Sequence, residues 1–360
     1  MRYALRLAQR GRGRVEPNPL VGCVIVQGRR LVGRGYHRRF GGPHAEVEAL
    51  RRCGRLARGA TAYVTLEPCC HFGKTPPCTD ALISAGVARV VAPLADPNPL
   101  VGGRGFAALR HAGVRVDVGL LAERAAALNA PFFKLVRTGL PWVILKWAQS
   151  LDGKIATRRG DSRWISDQQA RRHAHRKRGL VDAIIVGVGT VLRDDPLLTC
   201  RYGRARRIAK RIILDSRLRT PPGAQLVRTA RRVPTWIFHA PRPPSDRARS
   251  LERAGCRLWS VPGTRSGLSL RAILRVLGRE QMTNVLVEGG GQVLGQFLDQ
   301  QLADELCLYV GPLLVGGAAA TGPWHTLGAA RLTDALRLPP TARLRRLGSG
   351  YLLETRLPKR

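Results

Sequence analysis

The feature that most constrains this chain is a set of ligand-type residues confined to two short segments. The first is His44-Ala45-Glu46; the second is Pro68-Cys69-Cys70-His71-Phe72-Gly73-Lys74-Thr75-Pro76-Pro77-Cys78. One imidazole and two thiolates, from His44, Cys69 and Cys78, make a three-ligand zinc site that leaves the fourth tetrahedral position to water, the pattern of catalytic rather than structural zinc. Any fold the chain adopts must bring a helix start carrying His44 and a proline-rich turn carrying the cysteines to one point. Pro68 and the Pro76-Pro77 pair predict both thiols near helix N-termini, where the positive dipole end favours thiolate.

Glu46, two residues beyond His44, can approach a metal-bound water without ligating the metal. That makes it the candidate proton carrier. In hydrolytic deamination water adds to an amidine-like ring carbon, and a carboxylate must move its proton to the ring nitrogen and the departing ammonia. The remaining cysteines do not suggest a disulfide framework, since eight in 360 residues are too few. Cys70 beside Cys69 reads as a spectator, because adjacent thiols do not easily share one tetrahedral ion.

The length predicts two domains, and a hydrophobic fraction of 44% supplies cores for both. Through residue 120 short apolar runs alternate with helical patterns, as in an α/β domain. Strands are expected at 21–27, 31–36, 62–66 and 89–92, and helices at 4–10, 44–52 and 79–85. Between 129 and 142 the pattern loosens, and a new strand begins in Trp142-Val143-Ile144-Leu145-Lys146. This places the boundary so that domain one is 1–140 and domain two 141–360. The second half has strand signals at 183–188, 211–215, 235–239, 284–288 and 305–310. Residues 240–249, rich in Pro and Arg, are expected to form an exposed loop.

Sixty-one Lys and Arg against 24 Asp and Glu give a net charge of +37, and 54 of the basic residues are Arg. Such a field attracts phosphate-bearing partners, yet the arginines are spread through both halves, as a codon preference would spread them. Residues 1–14 carry five arginines and no apolar core of a signal peptide, and no run is long enough to span a bilayer, so a cytoplasmic chain without a membrane partner is expected. Oligomeric state is not readable; a homo-oligomer is compatible with the sequence.

In the second half, Gly187-Val188-Gly189-Thr190 follows an apolar strand, and Glu288-Gly289-Gly290-Gly291 follows another. Glycines at a strand-to-helix turn let backbone N–H groups and a helix N-terminus face a pyrophosphate; closely packed turns select glycine equally well. Ser166 with Gln169 is a capping-box signal and Gly179 a stop. The helix between them aligns Arg171, Ala174, His175 and Arg178 on one face.

The zinc motif, with nine positions from Cys69 to Cys78, resembles the riboflavin-biosynthesis branch of the cytidine-deaminase-like superfamily, a bifunctional deaminase/reductase family. Pro17-Asn18-Pro19, Gly41-Gly42-Pro43 and Asp96-Pro97-Asn98-Pro99 carry the same resemblance, which continues through the second half. It implies an N-terminal cytidine-deaminase-like α/β/α domain and a C-terminal dihydrofolate-reductase-like α/β domain. It further implies zinc-dependent deamination of 2,5-diamino-6-(5-phosphoribosylamino)pyrimidin-4(3H)-one, then NADPH-dependent reduction of the ribosyl group to ribityl.

By resemblance His44, Cys69 and Cys78 hold zinc and Glu46 shuttles the proton. Asn18, His71 and Lys74 grip the pyrimidine or its phosphate. In the reductase half the resemblance assigns Ser162, Arg178, Leu198, Arg201 and Glu288 to the phosphorylated substrate. It assigns Ala148, Trp164, Thr190, Asp194 and Ser216 to NADP, together with Gly290, Gly291, Gln292, Val293, Leu294, Gly295 and Gln296. Arg178 and Arg201 suit a phosphate through forked, charge-assisted bonds, and Ser216 beside Arg217 suits a 2′-phosphate. Lys146, Asp152 and Glu288 are the candidates for a proton donor. Trp147 and Gln149 depart from the small residues usual in the family at those positions. The competing reading is a zinc-dependent tRNA base deaminase with a non-reductase C-terminal domain, which the charge favours and the long cysteine spacing opposes.

Overall fold

The structure, a computed structural model, describes residues 1–73 and 75–358. The chain divides into two compact units, Met1–Leu140 and Pro141–Arg360.

Unit one runs α1 (Arg2–Ala8), β1 (Gly22–Gln27), β2 (Arg30–Tyr36), α2 (Ala45–Cys53), β3 (Thr61–Val64), α3 (Cys78–Ser84), β4 (Arg89–Ala92), α4 (Arg104–His111), β5 (Arg115–Val118), α5 (Ala122–Leu128) and α6 (Ala130–Thr138). Its sheet has the order β2-β1-β3-β4-β5. The hairpin β1–β2 is antiparallel, and β3, β4 and β5 run parallel. The core beneath the sheet joins Cys23 and Ile25 of β1 to Ala45, Ala49 and Cys53 of α2 and to Leu82 of α3. Small residues on the facing elements let α2 settle closely. A Cβ at Gly35 of β2 would collide with the Ala45 carbonyl, so this glycine fixes how near the first turn of α2 comes to the sheet. That turn carries Glu46.

Unit two continues with β6 (Trp142–Gln149), α7 (Gln168–Arg178), β7 (Ala183–Gly187), α8 (Val188–Asp194), β8 (Lys210–Leu214), α9 (Gln225–Arg228), β9 (Thr235–His239), α10 (Ser245–Arg253), β10 (Arg257–Ser260), the small hairpin β11 (Gly263–Thr264) and β12 (Gly267–Leu268), α11 (Leu270–Arg279), β13 (Asn284–Val287), α12 (Gly291–Asp299), β14 (Glu305–Val310), β15 (Leu344–Leu347) and β16 (Gly350–Arg356). Its sheet has the order β10-β9-β8-β7-β13-β6-β14-β16-β15. The central strands are parallel and buried on both faces, which is why they read as near-continuous apolar runs. Only the last two pairings, β14 with β16 and β16 with β15, are antiparallel.

Three expectations are corrected. Residues 240–249 are not all loop, because α10 begins at Ser245 directly after Pro244. It buries only Leu251, so the sequence carries almost no apolar period there. The loosened stretch before Trp142 contains α6, with Pro131 in its first turn and Gly139 ending it in the left-handed region. The cap of α7 is Asp167 rather than Ser166; the Asp167 carboxylate accepts from the Ala170 N–H at 2.8 Å, and Gly179 is the stop. Among the described residues no helix is long and apolar enough to cross a membrane.

Candidate functional site

In unit one His44 is the N-cap of α2, Glu46 lies in its first turn, and Cys78 is the first residue of α3. Cys69 is not at a helix N-terminus, contrary to expectation; it lies in the irregular segment after β3. The start of α3 holds it instead. The Cys78 N–H donates to Cys69 Sγ at 3.4 Å, and the Thr79 N–H donates to the Cys69 carbonyl at 3.2 Å.

His44 Nδ1 faces both sulfurs, 3.2 Å from Cys78 Sγ and 3.5 Å from Cys69 Sγ. The three donor atoms all lie within 4.8 Å of one another. A tetrahedral zinc ion with N and S bonds of roughly 2.0–2.3 Å needs donor separations of about 3.5 Å, so the set fits that ion. Cys70 is outside this group.

Glu46 is 3% exposed, and its Oε2 has no hydrogen-bond partner among the described residues. Burial, followed by the neighbouring Cys69 thiolate, pushes its carboxyl up to about 7, with His44 opposing. Cys69 is drawn down to about 4, first by the Cys78 thiol that donates to it and then, against burial, by His44 and the Cys78 N–H. Cys78 is raised by the same shared proton and by burial.

Asn18 Nδ2 donates to His37 Nε2 at 3.2 Å, and His37 Nδ1 donates to the Pro43 carbonyl at 3.1 Å. The His37 ring stands edge-on to His44, centroids 5.2 Å apart. Sequence reasoning missed His37. It lies one residue beyond an ordinary strand, and nothing in the local pattern marks it. His71 Nδ1 is buried without a partner among the described residues. Asp96 is raised to about 6, chiefly by burial. Lys74 lies outside the described residues.

Unit two contains a cavity of about 810 Å³ at the C-terminal ends of β6, β7, β8 and β13, the end of a parallel sheet where ligand crevices form. Its wall carries every residue that the resemblance assigns to the reductase substrate or to NADP except Leu198 and Gly295. Leu198 is buried behind it in a left-handed conformation (φ 50°), and Gly295 packs on Thr326. Gly290 has φ 70° and caps α12, so glycine is required at this turn. Arg219, Arg265 and His325 also line the cavity. Sequence reading did not single them out, because isolated basic residues are ordinary in a chain with this many arginines.

Two details differ from the sequence reading. The Arg178 fork is already engaged: Nε and Nη2 both donate to Glu288 at 2.7 Å, and Lys146 Nζ is 3.6 Å from the same carboxylate. Burial alone would raise Glu288, but Arg178 and Lys146 outweigh it and hold the carboxyl at about 2. Asp152 does not line the cavity; it accepts from the N–H groups of Val315 and Gly316 and from Ser150 Oγ. The two unusual residues satisfy each other, with Trp147 Nε1 donating to Gln149 Oε1 at 2.7 Å while the Trp147 ring packs against Trp324.

Two family descriptions match the chain, the cytidine and deoxycytidylate deaminase zinc-binding region over residues 1–94 and the RibD C-terminal domain over residues 141–350. A riboflavin biosynthesis protein RibD from Bacillus amyloliquefaciens is 44% identical over 89% of this chain and 85% of its own length. The chain belongs to the RibD family. The RibD of Escherichia coli is 43% identical, covering 93% of this chain and 92% of that one. A solved RibD from Acinetobacter baumannii superposes with a TM-score of 0.87 at 36% identity, over 99% of this chain and 97% of that one. A solved diaminohydroxyphosphoribosylaminopyrimidine deaminase/5-amino-6-(5-phosphoribosylamino)uracil reductase from Thermotoga maritima gives a TM-score of 0.83 at 35% identity, over 99% of this chain and 97% of that one. RibD family membership makes this chain a bifunctional deaminase and reductase of riboflavin biosynthesis, and the RibD C-terminal match disfavours the tRNA-deaminase reading.

Proposed function

We propose that residues 1–140 deaminate 2,5-diamino-6-(5-phosphoribosylamino)pyrimidin-4(3H)-one and that residues 141–360 reduce the ribosyl group of the product with NADPH. One observation carries the reading: the convergence of His44 Nδ1, Cys69 Sγ and Cys78 Sγ within 4.8 Å, beside the buried Glu46 carboxyl. Those three residues hold zinc, which when bound acts as a Lewis acid and lowers the pKa of water toward about 7. Glu46 carries the two protons of the attacking water in turn, the first to the ring nitrogen as the C–O bond forms and the second to the amino group as the C–N bond breaks and ammonia leaves. Asn18, oriented by His37, and His71, with its unpartnered nitrogen, hold the pyrimidine edge; Lys74, a cation, suits the pyrimidine or its phosphate.

In the reductase, NADPH supplies the hydride, and the protein supplies position and electrostatics. The glycine turn at 289–291 and Thr190 cradle its phosphates, and Ser216, with Arg217 and Arg219 nearby, takes the 2′-phosphate. Glu288 is fully ionised and bonded to Arg178, so it has no proton to give at neutral pH. Of the three candidate proton donors this leaves Lys146, which lies on the cavity wall 3.6 Å from the Glu288 carboxylate. Arg201 is the principal holder of the substrate phosphate, since Arg178 is committed to Glu288. Cytoplasmic placement belongs to the same reading, and the eight free cysteines support it. It includes no nucleic-acid or membrane partner.

Cys78→Ser tests the metal assignment. The variant is expected to lose zinc and ammonia release while still oxidising NADPH with 5-amino-6-(5-phosphoribosylamino)uracil. Full zinc occupancy in the variant would remove Cys78 from the site.

A further inference from the structure

His175, on the cavity face of α7, has no part in the chemistry above, yet it is 7% exposed and lines the reductase cavity. Its Nδ1 lies 2.9 Å from the Thr199 carbonyl oxygen and 3.1 Å from the Arg201 backbone nitrogen. A neutral imidazole nitrogen is either a donor or an acceptor, so only one of these contacts is a hydrogen bond at a time. The surrounding groups decide which. The Thr199 carbonyl already accepts from Arg178 Nη1 at 3.4 Å. The Arg201 N–H has no other acceptor among the described residues. The arrangement that leaves fewest groups unpaired protonates Nε2 and lets Nδ1 accept from Arg201.

The segment receiving this bond has no ladder of its own. It leaves α8 through Asp195 and Leu198, both with positive φ, and is tied only at separate points. Asp195 Oδ1 accepts from the Gln225 N–H at 2.7 Å, the Leu197 carbonyl accepts from Arg211 Nη1 at 3.4 Å, and Tyr202 stands edge-on to the His175 ring at 4.8 Å. His175 thus holds the stretch at two adjacent points, the Arg201 N–H and the Tyr202 ring. Burial, then the charges of Arg178 and Arg201, pull its pKa down to about 4. It therefore stays neutral and adds no repulsion between two cations.

We infer that His175 is a positioning residue of the reductase: by accepting the Arg201 N–H it fixes the loop that presents the Arg201 guanidinium to the phosphate of the substrate. The inference rests on the proposed role of Arg201, and the test separates the two. His175→Leu removes the acceptor; His175→Asn restores one near the position of Nδ1. Steady-state NADPH oxidation is measured with 5-amino-6-(5-phosphoribosylamino)uracil, with inorganic phosphate as competing ligand and Arg201→Ala alongside.

The Leu variant is expected to raise KM for the phosphorylated substrate and Ki for phosphate about tenfold, the equivalent of one lost hydrogen bond. Its kcat, its KM for NADPH and its ammonia release should stay near those of the parent, and Asn should recover most of the loss. An unchanged KM in the Leu variant, with a raised one in Arg201→Ala, overturns the positioning role alone. An unchanged KM in Arg201→Ala overturns the phosphate assignment and this inference with it. If the Leu variant fails to fold, His175→Gln, whose acceptor sits one bond farther out, replaces it in the comparison; equal kinetics for Gln and Asn would then contradict the geometry.

Discussion

Glu46→Gln is expected to lower the rate of ammonia release by about 10²–10⁴-fold, the usual worth of a positioned proton carrier. The amide keeps the size and shape of the side chain but cannot take a proton from water. Because Glu46 is buried and its carboxyl is already raised to about 7, the neutral replacement should not lower the melting temperature. Zinc content should be unchanged, since Glu46 is not among the three converging donors. NADPH oxidation supplied with the deaminated intermediate should also be unchanged. A variant that retains more than about a tenth of the parent's deamination would assign the proton transfer to another group.

Arg178→Leu is expected to destabilise unit two by about 3–5 kcal/mol, the cost of breaking a buried ion pair from one side. The Glu288 side chain is 3% exposed, and its remaining cationic neighbour would be Lys146 at 3.6 Å. This effect makes Arg178 a poor probe of phosphate binding and Arg201 the better one. It also carries a pH signature. The Glu288 carboxyl falls from its usual 4.5 to about 2 in the folded protein, so its stabilising contribution is present above about pH 4.5 and is lost as pH falls toward 2. Thermal unfolding between pH 7 and pH 2.5 should show the parent losing its advantage over the variant across that interval. Equal melting temperatures at pH 7 would mean that the bidentate contact contributes nothing.

The zinc trio was legible because metal chemistry demands particular residue types, and His44, Glu46, Cys69 and Cys78 lie within 35 positions of one another. The parallel strands of unit two were equally plain as apolar runs. What escaped depended on partners distant in sequence. Arg178 announced an anion, but nothing local showed that the anion is Glu288, 110 residues away. His37 works through contacts with loops and leaves no periodic signal, while the helical spacing placed His175 beside Arg178 but could not show its partner Arg201, 26 residues away. The cap of α7 slipped by one residue because Ser166 and Asp167 are both good capping residues and only the backbone decides between them. Helix α10 was hidden by its charge, since a helix burying one leucine has almost no apolar stripe to read.

The central claim, two chemistries divided between two units of one chain, is tested most directly by a single assay. Zinc-loaded protein is supplied with the diaminopyrimidine phosphoribosylamine and NADPH, and ammonia release and NADPH oxidation are followed separately. The account predicts both signals, with oxidation lagging behind ammonia and dependent on it in amount. NADPH oxidation that proceeds without ammonia, or ammonia release with no oxidation even when the deaminated intermediate is added, would contradict it.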